Sequence, residues 1–203
     1  MEIKFNPDKV MHDERLDFVD SEDSEALNSI GANFYNDGNY EMAKQYYELA
    51  SALGNDTAMS NLGYIYMYGR NVEIDYTMAM CYFMMAAKKG NIEAIYKLGN
   101  LYESGKCGIK DINLAMECYD KALLLIEEQG IDKKEYPSVY FTLAKEMMPN
   151  GNKEQDLSKA YKYLKIAVSG YKYLIEVEFA NHYKKALAEA EKMLESEIFS
   201  DYK

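Results

Sequence analysis

The stretch "LGYIYMYGRNVEIDYTMAMCYFMMAAKKGN", residues 62–91, consists of two apolar segments separated by a short polar turn. In the first segment, a tyrosine follows Gly63 after three residues, which places both side chains on one face of a helix. The second segment carries Ala79, Phe83 and Ala86 at steps of four and three residues, again a helical spacing. The stretch therefore predicts two helices joined by a turn.

The same arrangement occurs four times along the chain. The first helix of each pair carries a small residue: Gly31, Gly63, Gly99 and Ala144. The second helix carries a small, a large and a small residue: Ala43, Tyr47 and Ala50; Ala79, Phe83 and Ala86; Ala115, Tyr119 and Ala122; Ala160, Leu164 and Ala167. Because a glycine inside a helix costs about 1 kcal/mol relative to alanine, we expect the backbone of a neighbouring helix to approach closely at each glycine. Four helix hairpins are predicted.

The turns inside the hairpins carry matching signals. Gly69 and Gly105 stand where the first helix of the second and third hairpins should end. Asp75, Asp111 and Asp156 stand where the second helix of the second, third and fourth hairpins should be capped. The turn of the first hairpin is shorter by four residues.

These landmarks resemble the Sel1-like repeat, A-x-x-x-L-G-x-x-Y-x-x-G-x-G-V-x-x-D-x-x-x-A, of which residues 58–91 and 94–125 look like two consecutive copies. The first hairpin is closer in spacing to the related tetratricopeptide repeat. The fourth departs from the pattern, since it has alanine in place of the glycine. The resemblance covers about residues 24–170. It implies an all-α fold, a right-handed α-solenoid of about four helix-turn-helix repeats.

We expect three parts in the chain. They are an acidic N-terminal extension (1–20), a repeat solenoid (21–170) and a C-terminal capping helix and tail (171–203), with repeat units at about 24–56, 57–91, 92–130 and 136–170. The segment after Gly170 contains no glycine or proline and is predicted to form one long helix that covers the last apolar face. A coiled-coil helix that mediates dimerisation is the alternative.

The acidic side chains before the first repeat helix are expected to stabilise that helix through its dipole, which is positive at the N-terminus. Ser21 or Ser24 is expected to cap this end of the helix. A docking tail for a basic partner is the alternative reading. Over the whole sequence, 34 acidic and 23 basic residues give a formal net charge of −11, which disfavours nucleic acid and anionic membrane surfaces as partners. With neither a secretory signal nor a membrane-spanning run, a cytoplasmic protein is expected.

The sequence contains no recognisable catalytic or metal-binding motif. Cys81, Cys107 and Cys118 form no CxxC pair, and His12 and His182 have no ligand-type residues at metal-binding spacing. Neither a nucleophile elbow nor a phosphate-binding glycine loop is present. We therefore predict no enzyme activity, no cofactor and no metal. Some proteins with cysteine-rich Sel1-like repeats are linked to β-lactam binding, but their recurring cysteine pairs are missing here.

A partner-binding surface is expected on the first helices, which line the concave side when hairpins stack as in tetratricopeptide arrays. The side chains outside the packing face are Asn28, Tyr35, Asn36, Ser60, Tyr64, Met67, Tyr68, Tyr96, Asn100, Glu103, Phe141 and Lys145. Tyrosine, asparagine and methionine suit an extended peptide or a partner helix. Half or more of the tyrosines in the chain are expected instead to fill gaps between repeats. Since clustered lysines and arginines are lacking, we expect a neutral or basic ligand segment.

The function predicted from these features is a non-catalytic adaptor or scaffold that binds a protein or peptide through its concave face. Part of this prediction rests on the family resemblance, because a fold alone does not fix a function. An acidic regulatory inhibitor that covers a basic enzyme or toxin is the alternative from another class. A β-lactam-binding hydrolase is the third reading.

Overall fold

A computed structural model gives the structure of the protein over most of its length. The described residues are 21–149, 151, 153–178 and 180–202. The predicted acidic extension, residues 1–20, and with it His12, lies outside them. Within the described ranges the regular structure is helical throughout and contains no strand.

Consecutive helices pair into helix hairpins that are joined by short turns. Their bounds are α1 (Ser21–Asn36), α2 (Tyr40–Ala52), α3 (Asp56–Tyr68), α4 (Tyr76–Lys88), α5 (Ile92–Ser104), α6 (Ile112–Glu128), α7 (Pro137–Glu146), α8 (Leu157–Val177) and α9 (Lys184–Leu194). Short 3-10 segments occupy Lys133–Glu135, Asn181–Tyr183 and Glu197–Tyr202. The predicted fold class, all-α with helix-turn-helix repeats, is confirmed.

The chain divides into two compact units, Met1–Met85 (unit 1) and Ala86–Lys203 (unit 2). Each unit has its own buried core between its helices. Unit 1 buries a cluster that includes Leu27, Tyr46, Leu62 and Ile65. Unit 2 fully buries a set that includes Ile95, Tyr119, Ile126, Tyr140 and Tyr171. None of the helices in the described part of the chain is both long and apolar enough to cross a bilayer.

The three predicted aspartate caps are confirmed, whereas Ser21 and Ser24, the cap predicted for the first helix, both lie within α1. The Asp75, Asp111 and Asp156 carboxylates each accept a hydrogen bond from the backbone N–H three residues later, at 2.9, 3.1 and 2.9 Å. These bonds satisfy one of the N–H groups that a helix start leaves without an intrahelical partner. Gly69 and Gly105 end α3 and α5 in the left-handed region, with φ of 63° and 67°, where a side chain would be strained.

A second set of caps comes from asparagine and was missed in the sequence. Asn39, Asn55 and Asn91 precede α2, α3 and α5, and their side-chain oxygens accept backbone N–H groups at 3.2, 2.8 and 2.9 Å. Each of these asparagines follows a glycine in a Gly-Asn dipeptide. The dipeptide alone is not a sufficient signal for a turn, because Gly99-Asn100 lies inside α5.

The glycine in the first helix of a hairpin makes room for an aromatic ring from the second helix. A Cβ placed on Gly63 would lie 2.5 Å from the Phe83 ring, closer than real Cβ atoms approach other atoms. The same contact is made by two further pairs, Gly31 with Tyr47 and Gly99 with Tyr119. The expected close approach of a neighbouring helix backbone is present at Gly31, where the Ala43 carbonyl oxygen would lie 3.3 Å from an added Cβ, but the nearest atoms at all three glycines belong to rings. We call each of these three contacts a glycine–ring pair.

In the fourth hairpin both members of this pair differ. Ala144 in α7 and Leu164 in α8 stand at the equivalent positions, and both are fully buried. A methyl group occupies the place of the glycine, and a shorter side chain occupies the place of the ring. The two changes compensate in volume, which close-packed interiors require.

The prediction of one long helix after Gly170 is wrong. Helix α8 continues through this glycine to Val177, and Tyr171 and Leu174 beyond it are buried. A Cβ at residue 170 would meet the Lys134 carbonyl oxygen at 2.8 Å, so this glycine permits a close approach to the segment before α7 rather than ending a helix. The chain then forms a 3-10 turn and the separate helix α9.

Helix α9 packs against α8. Its Ala190 is fully buried, and Glu191 Oε1 forms an ion pair with Lys172 Nζ of α8 at 2.8 Å. The 3-10 segment that follows buries Phe199, whose ring centroid lies 5.5 Å from that of Tyr161. We propose that this C-terminal part caps the last hairpin, as expected from the sequence.

Buried tyrosines predict a loss of stability at alkaline pH. Burial raises the pKa of Tyr47, Tyr140 and Tyr163 from 10.0 to about 12. Above pH 10 the unfolded state loses these phenolic protons while the folded state retains them, so the unfolded state binds fewer protons and stability falls as pH rises. We expect unfolding between pH 10 and about 12, with the last part of the tyrosinate absorbance change and the loss of helical circular dichroism appearing together. Ionisation of all 20 tyrosines with the helical signal unchanged would contradict this prediction.

Candidate functional site

In unit 1, Arg70 lies among aromatic side chains from the first two hairpins. Its guanidinium carbon is 5.0 Å from the centroid of the Tyr40 ring, within the range of a cation–π contact. The pKa of the guanidinium is raised above its ordinary value, first by a side-chain hydrogen bond with Tyr35, with Tyr40 and Tyr68 contributing further. Arg70 is therefore a permanent positive charge surrounded by phenol groups.

Two pairs of tyrosine rings contain residues that interact with this charge. Tyr35 and Tyr40 meet edge to face with ring centroids 5.0 Å apart. Tyr64 and Tyr68 stack with centroids 5.8 Å apart and an interplanar angle of 13°. Arg70 interacts electrostatically with members of both pairs. We call these five residues, Tyr35, Tyr40, Tyr64, Tyr68 and Arg70, the Arg70 cluster.

The local fold explains how Arg70 reaches this position. After Gly69 turns the backbone into the left-handed region, the Arg70 N–H bonds back to the Ile65 carbonyl oxygen at 2.9 Å. This bond closes the end of α3 and directs the chain away from the helix axis. On the other side, the Asn39 cap starts α2 at Tyr40. Two helix ends therefore bring the guanidinium and the Tyr40 ring together.

Among the residues that the structure describes, the positive charge of Arg70 has no carboxylate partner. None of the ion pairs formed within them includes it. Its Nε is buried without a hydrogen-bond partner, whereas the residue as a whole stays partly exposed. Within the described part of unit 1, the cluster therefore presents a cation that pairs with no carboxylate.

Three of the predicted binding residues, Tyr35, Tyr64 and Tyr68, belong to this cluster. Tyr68 is the most open of them, at 51% exposure, while Tyr35 and Tyr64 are partly exposed. Of the remaining predictions in unit 1, Asn36 is exposed at the end of α1, and Met67 is partly exposed in α3.

Two other predicted residues in unit 1 are engaged within the protein. The Asn28 side-chain oxygen accepts a hydrogen bond from Asn61 Nδ2 at 3.0 Å, which ties α1 to α3. Ser60 is 4% exposed. The prediction that Ser60 faces a binding groove does not hold in this structure, because the serine is packed between helices.

In unit 2 the predicted residues Tyr96 and Phe141 are also buried, each at 8% exposure. The Tyr96 hydroxyl lies 3.1 Å from Thr142 Oγ1, joining α5 to α7. The Phe141 ring meets Tyr171 of α8 edge to face at 6.0 Å. These aromatic side chains fill space between helices, which the sequence analysis expected for half or more of the tyrosines, and they are not open to a partner.

Asn100 and Glu103 hold the buried hydroxyl of Tyr119. This hydroxyl donates to Glu103 Oε2 at 2.6 Å, and it lies 2.8 Å from the oxygen assigned in the Asn100 amide. Since a phenol has only one proton, the amide completes both bonds only when its NH₂ group faces the hydroxyl. Burial, followed by the Glu103 bond, raises the pKa of Tyr119. Both predicted binding residues therefore serve the glycine–ring pair of the third hairpin.

Lys145, the last predicted residue, is exposed, but it pairs with the chain's own C-terminal helix. Its ammonium lies 3.3 Å from Glu189 of α9 and 5.3 Å from the centroid of the Phe141 ring. Within unit 2, the predicted residues are thus occupied by internal contacts.

Sequence reasoning missed two members of the cluster, Tyr40 and Arg70. Both lie at helix ends, outside the first-helix positions from which the prediction was made. A usable signal was present in composition, because the sequence contains only two arginines, Arg15 and Arg70, and the second directly follows a helix-ending glycine.

Other chemistry in the described residues is sparse. Cys81, Cys107 and Cys118 are free thiols, and burial is the main cause that raises the pKa of Cys118. In that part of the chain, no three histidine, cysteine or acidic side chains are grouped to hold a metal ion. His182 is exposed and stacks near Tyr183 at 4.1 Å.

The solved structures that match this chain include two bacterial proteins. A Sel1 repeat protein from Oxalobacter formigenes matches with a TM-score of 0.59 and 21% identity, over 75% of this chain and 62% of that chain. The present chain thus spans less than two thirds of that protein. The protective antigen c5321 of uropathogenic Escherichia coli strains, which displays an SLR fold, matches with a TM-score of 0.48 and 20% identity, over 77% of this chain and 42% of that chain. The search of curated proteins gave no match.

The family comparison covers most of the repeat region. The Sel1 repeat model matches residues 24–55, 56–91, 92–125 and 143–170, which together make up more than half of the chain. The first of these segments includes the hairpin whose short turn is closer to a tetratricopeptide repeat. The hairpins, their caps and this match agree, and the chain belongs to the Sel1 repeat family.

Proposed function

We propose that the protein is a non-catalytic interaction module that binds an extended segment of a partner protein through the Arg70 cluster. The observation that carries the proposal is the cluster itself: tyrosine rings from two consecutive hairpins surround a guanidinium that has no carboxylate partner in the described residues. Proteins of the Sel1 repeat family generally mediate protein–protein interaction, which supports this reading.

The side chains of the cluster suit recognition of a polypeptide. A tyrosine offers a large contact area with few rotatable bonds to immobilise, and its hydroxyl can bond a peptide backbone. Tyr68 leaves 51% of its surface exposed, so a partner can reach an aromatic side chain of the cluster. Tyrosine and arginine are also enriched among the residues that dominate the energy of protein interfaces.

The first experiment is a selection of random peptides on the purified protein, followed by titration of the enriched peptides. We expect Tyr68→Ala to weaken binding by about tenfold or more, since loss of an aromatic residue that dominates an interface typically costs about 2 kcal/mol or more. Tyr173→Ala removes another exposed tyrosine, 38% exposed on α8, and should leave affinity within about twofold. Equal affinities of the wild type and Tyr68→Ala would refute a binding role for the cluster.

The net charge of −11 favours one competing function, an acidic regulator that covers a basic enzyme or toxin. Salt separates the two functions. Contacts with tyrosine rings persist at about 0.5 M salt, whereas binding driven by the exposed acidic surface is lost there because the screening length shrinks to a few ångströms. Binding of enriched peptides that survives high salt supports the cluster, and complete loss supports the acidic regulator.

A further inference from the structure

We infer that the Arg70 cluster recognises the side-chain carboxylate of one aspartate or glutamate in the partner segment, flanked on both sides by apolar or aromatic residues. This inference rests on the proposed function and specifies the chemistry of its ligand. The inference modifies the expectation of a neutral or basic ligand. That expectation rested on the lack of clustered lysines and arginines and did not consider whether a single arginine has a carboxylate partner.

The first step is the unmatched charge. Arg70 is the cation of the cluster, and its near neighbours are the phenol groups of Tyr35, Tyr40 and Tyr68 rather than carboxylates. Its Nε is buried, and one of its N–H groups bonds the Tyr35 side chain, so a ligand would use the other terminal N–H groups of the guanidinium. A guanidinium is a planar fork of donors that matches the two oxygens of a carboxylate, and such charge-assisted bonds are about twice as strong as neutral ones.

The second step concerns the source of the carboxylate. The Tyr35–Tyr40 pair comes from the first hairpin, the Tyr64–Tyr68 pair comes from the second, and Arg70 interacts with members of both. Covering ring pairs from two hairpins requires an extended segment, and most carboxylates of an extended segment belong to side chains. We therefore assign the ligand to a side-chain carboxylate, and a peptide with a free C-terminus tests the alternative.

The third step limits the number of acidic residues to one. Asp37, Glu41 and Glu73 lie within a few residues of cluster members and are all exposed. Together with the net charge of −11, they repel additional negative charge on a ligand. A run of acidic residues would therefore bind more weakly than a single acid in an otherwise neutral or basic segment.

The test uses a library of random peptides fused at their C-termini to the display carrier, so that every peptide carboxylate is a side chain. Selections are run in parallel on the full-length wild type and on Arg70→Gln. On the wild type we expect enrichment of peptides with one aspartate or glutamate at a fixed position between apolar residues. On Arg70→Gln the acidic preference should vanish while the apolar preference remains.

Titration of one enriched peptide then measures how much its acidic residue contributes to the binding affinity. Changing its acidic residue to the amide should weaken binding to the wild type by about tenfold, the value of one charge-assisted bond, and should not weaken binding to Arg70→Gln. Lys172→Gln, which removes an exposed cation on α8, is the matched control and should keep the full preference for the acid. Circular dichroism and thermal melting confirm that the variants are folded.

The outcomes separate the inference from the proposed function. Enriched peptides without an acidic residue, or an acidic preference that persists on Arg70→Gln, overturn the inference and leave the interaction module intact. Binding of an acid-free peptide only when its own C-terminus is free assigns the carboxylate to a chain end and also overturns the inference. No enrichment on the wild type overturns both proposals.

Discussion

Replacing Phe83 with alanine should lower the free energy of unfolding by about 3–5 kcal/mol, the usual cost of removing a buried aromatic side chain. The Phe83 ring is fully buried and occupies the space beside Gly63, which has no side chain to fill the resulting cavity. Urea denaturation followed by helical circular dichroism measures the change. Met84→Ala, on the same helix but 51% exposed, should change stability by less than about 0.5 kcal/mol.

A double-mutant cycle tests whether Phe83 and Gly63 interlock. Gly63→Ala alone should be destabilising, because the buried ring cannot yield, and the cost of about 1–3 kcal/mol exceeds the gain of about 1 kcal/mol in helix propensity. In a Phe83→Leu background, the shorter side chain leaves room for the new methyl group, as in the fourth hairpin. Gly63→Ala should then cost at least about 1 kcal/mol less than in the wild type. An equal cost in both backgrounds would show that the two residues are independent.

Tyr119→Phe should lower the free energy of unfolding by about 1.5–3 kcal/mol, although it keeps the ring beside Gly99. The substitution removes the hydroxyl that donates to Glu103 at 2.6 Å and contacts the Asn100 amide, and it leaves both groups without this partner in a partly buried position. Chemical denaturation of the variant measures the loss.

Two comparisons make the Tyr119 result specific. Tyr173→Phe removes an exposed hydroxyl from α8 and should be nearly neutral. Adding Glu103→Gln to Tyr119→Phe should recover part of the loss, because an unpartnered amide costs less to bury than an unpartnered carboxylate. A Tyr119→Phe variant as stable as the wild type would mean that the hydroxyl contributes nothing beyond what water supplies.

Much of the fold could be predicted from the sequence because its signals are local. Asp75 and Asp111 start their helices through bonds to N–H groups only three residues away, so composition and spacing determine these caps. Helical periodicity likewise placed Gly63 and Phe83 on inner faces. That the ring rests directly on the glycine depends on how two helices meet, which periodicity does not contain. Gly170 shows the same limit, since its role depends on the Lys134 carbonyl of a distant segment.

The candidate site was harder to predict. The prediction took binding residues from the first helix of each hairpin, at positions away from its packing face, and we call this the first-helix rule. It found Tyr64 and Tyr68 because both lie at such positions in α3. It also selected Tyr96 and Phe141, which pack against other helices of unit 2. The rule could not find Arg70, because a residue after a helix has no helical phase and its direction is set by the left-handed turn before it.

The fourth hairpin has alanine and leucine in place of the glycine and the ring, and this difference limits how the repeats can recombine. A crossover that joined helices of the second and fourth hairpins would set the methyl of Ala144 against the ring of Phe83, or leave Leu164 facing the bare backbone of Gly63. The first chimaera would be overpacked, and the second would contain a cavity. Recombination that involves the fourth hairpin therefore preserves this packing only when its breakpoints fall between hairpins, whereas a crossover among the first three hairpins keeps a glycine–ring pair.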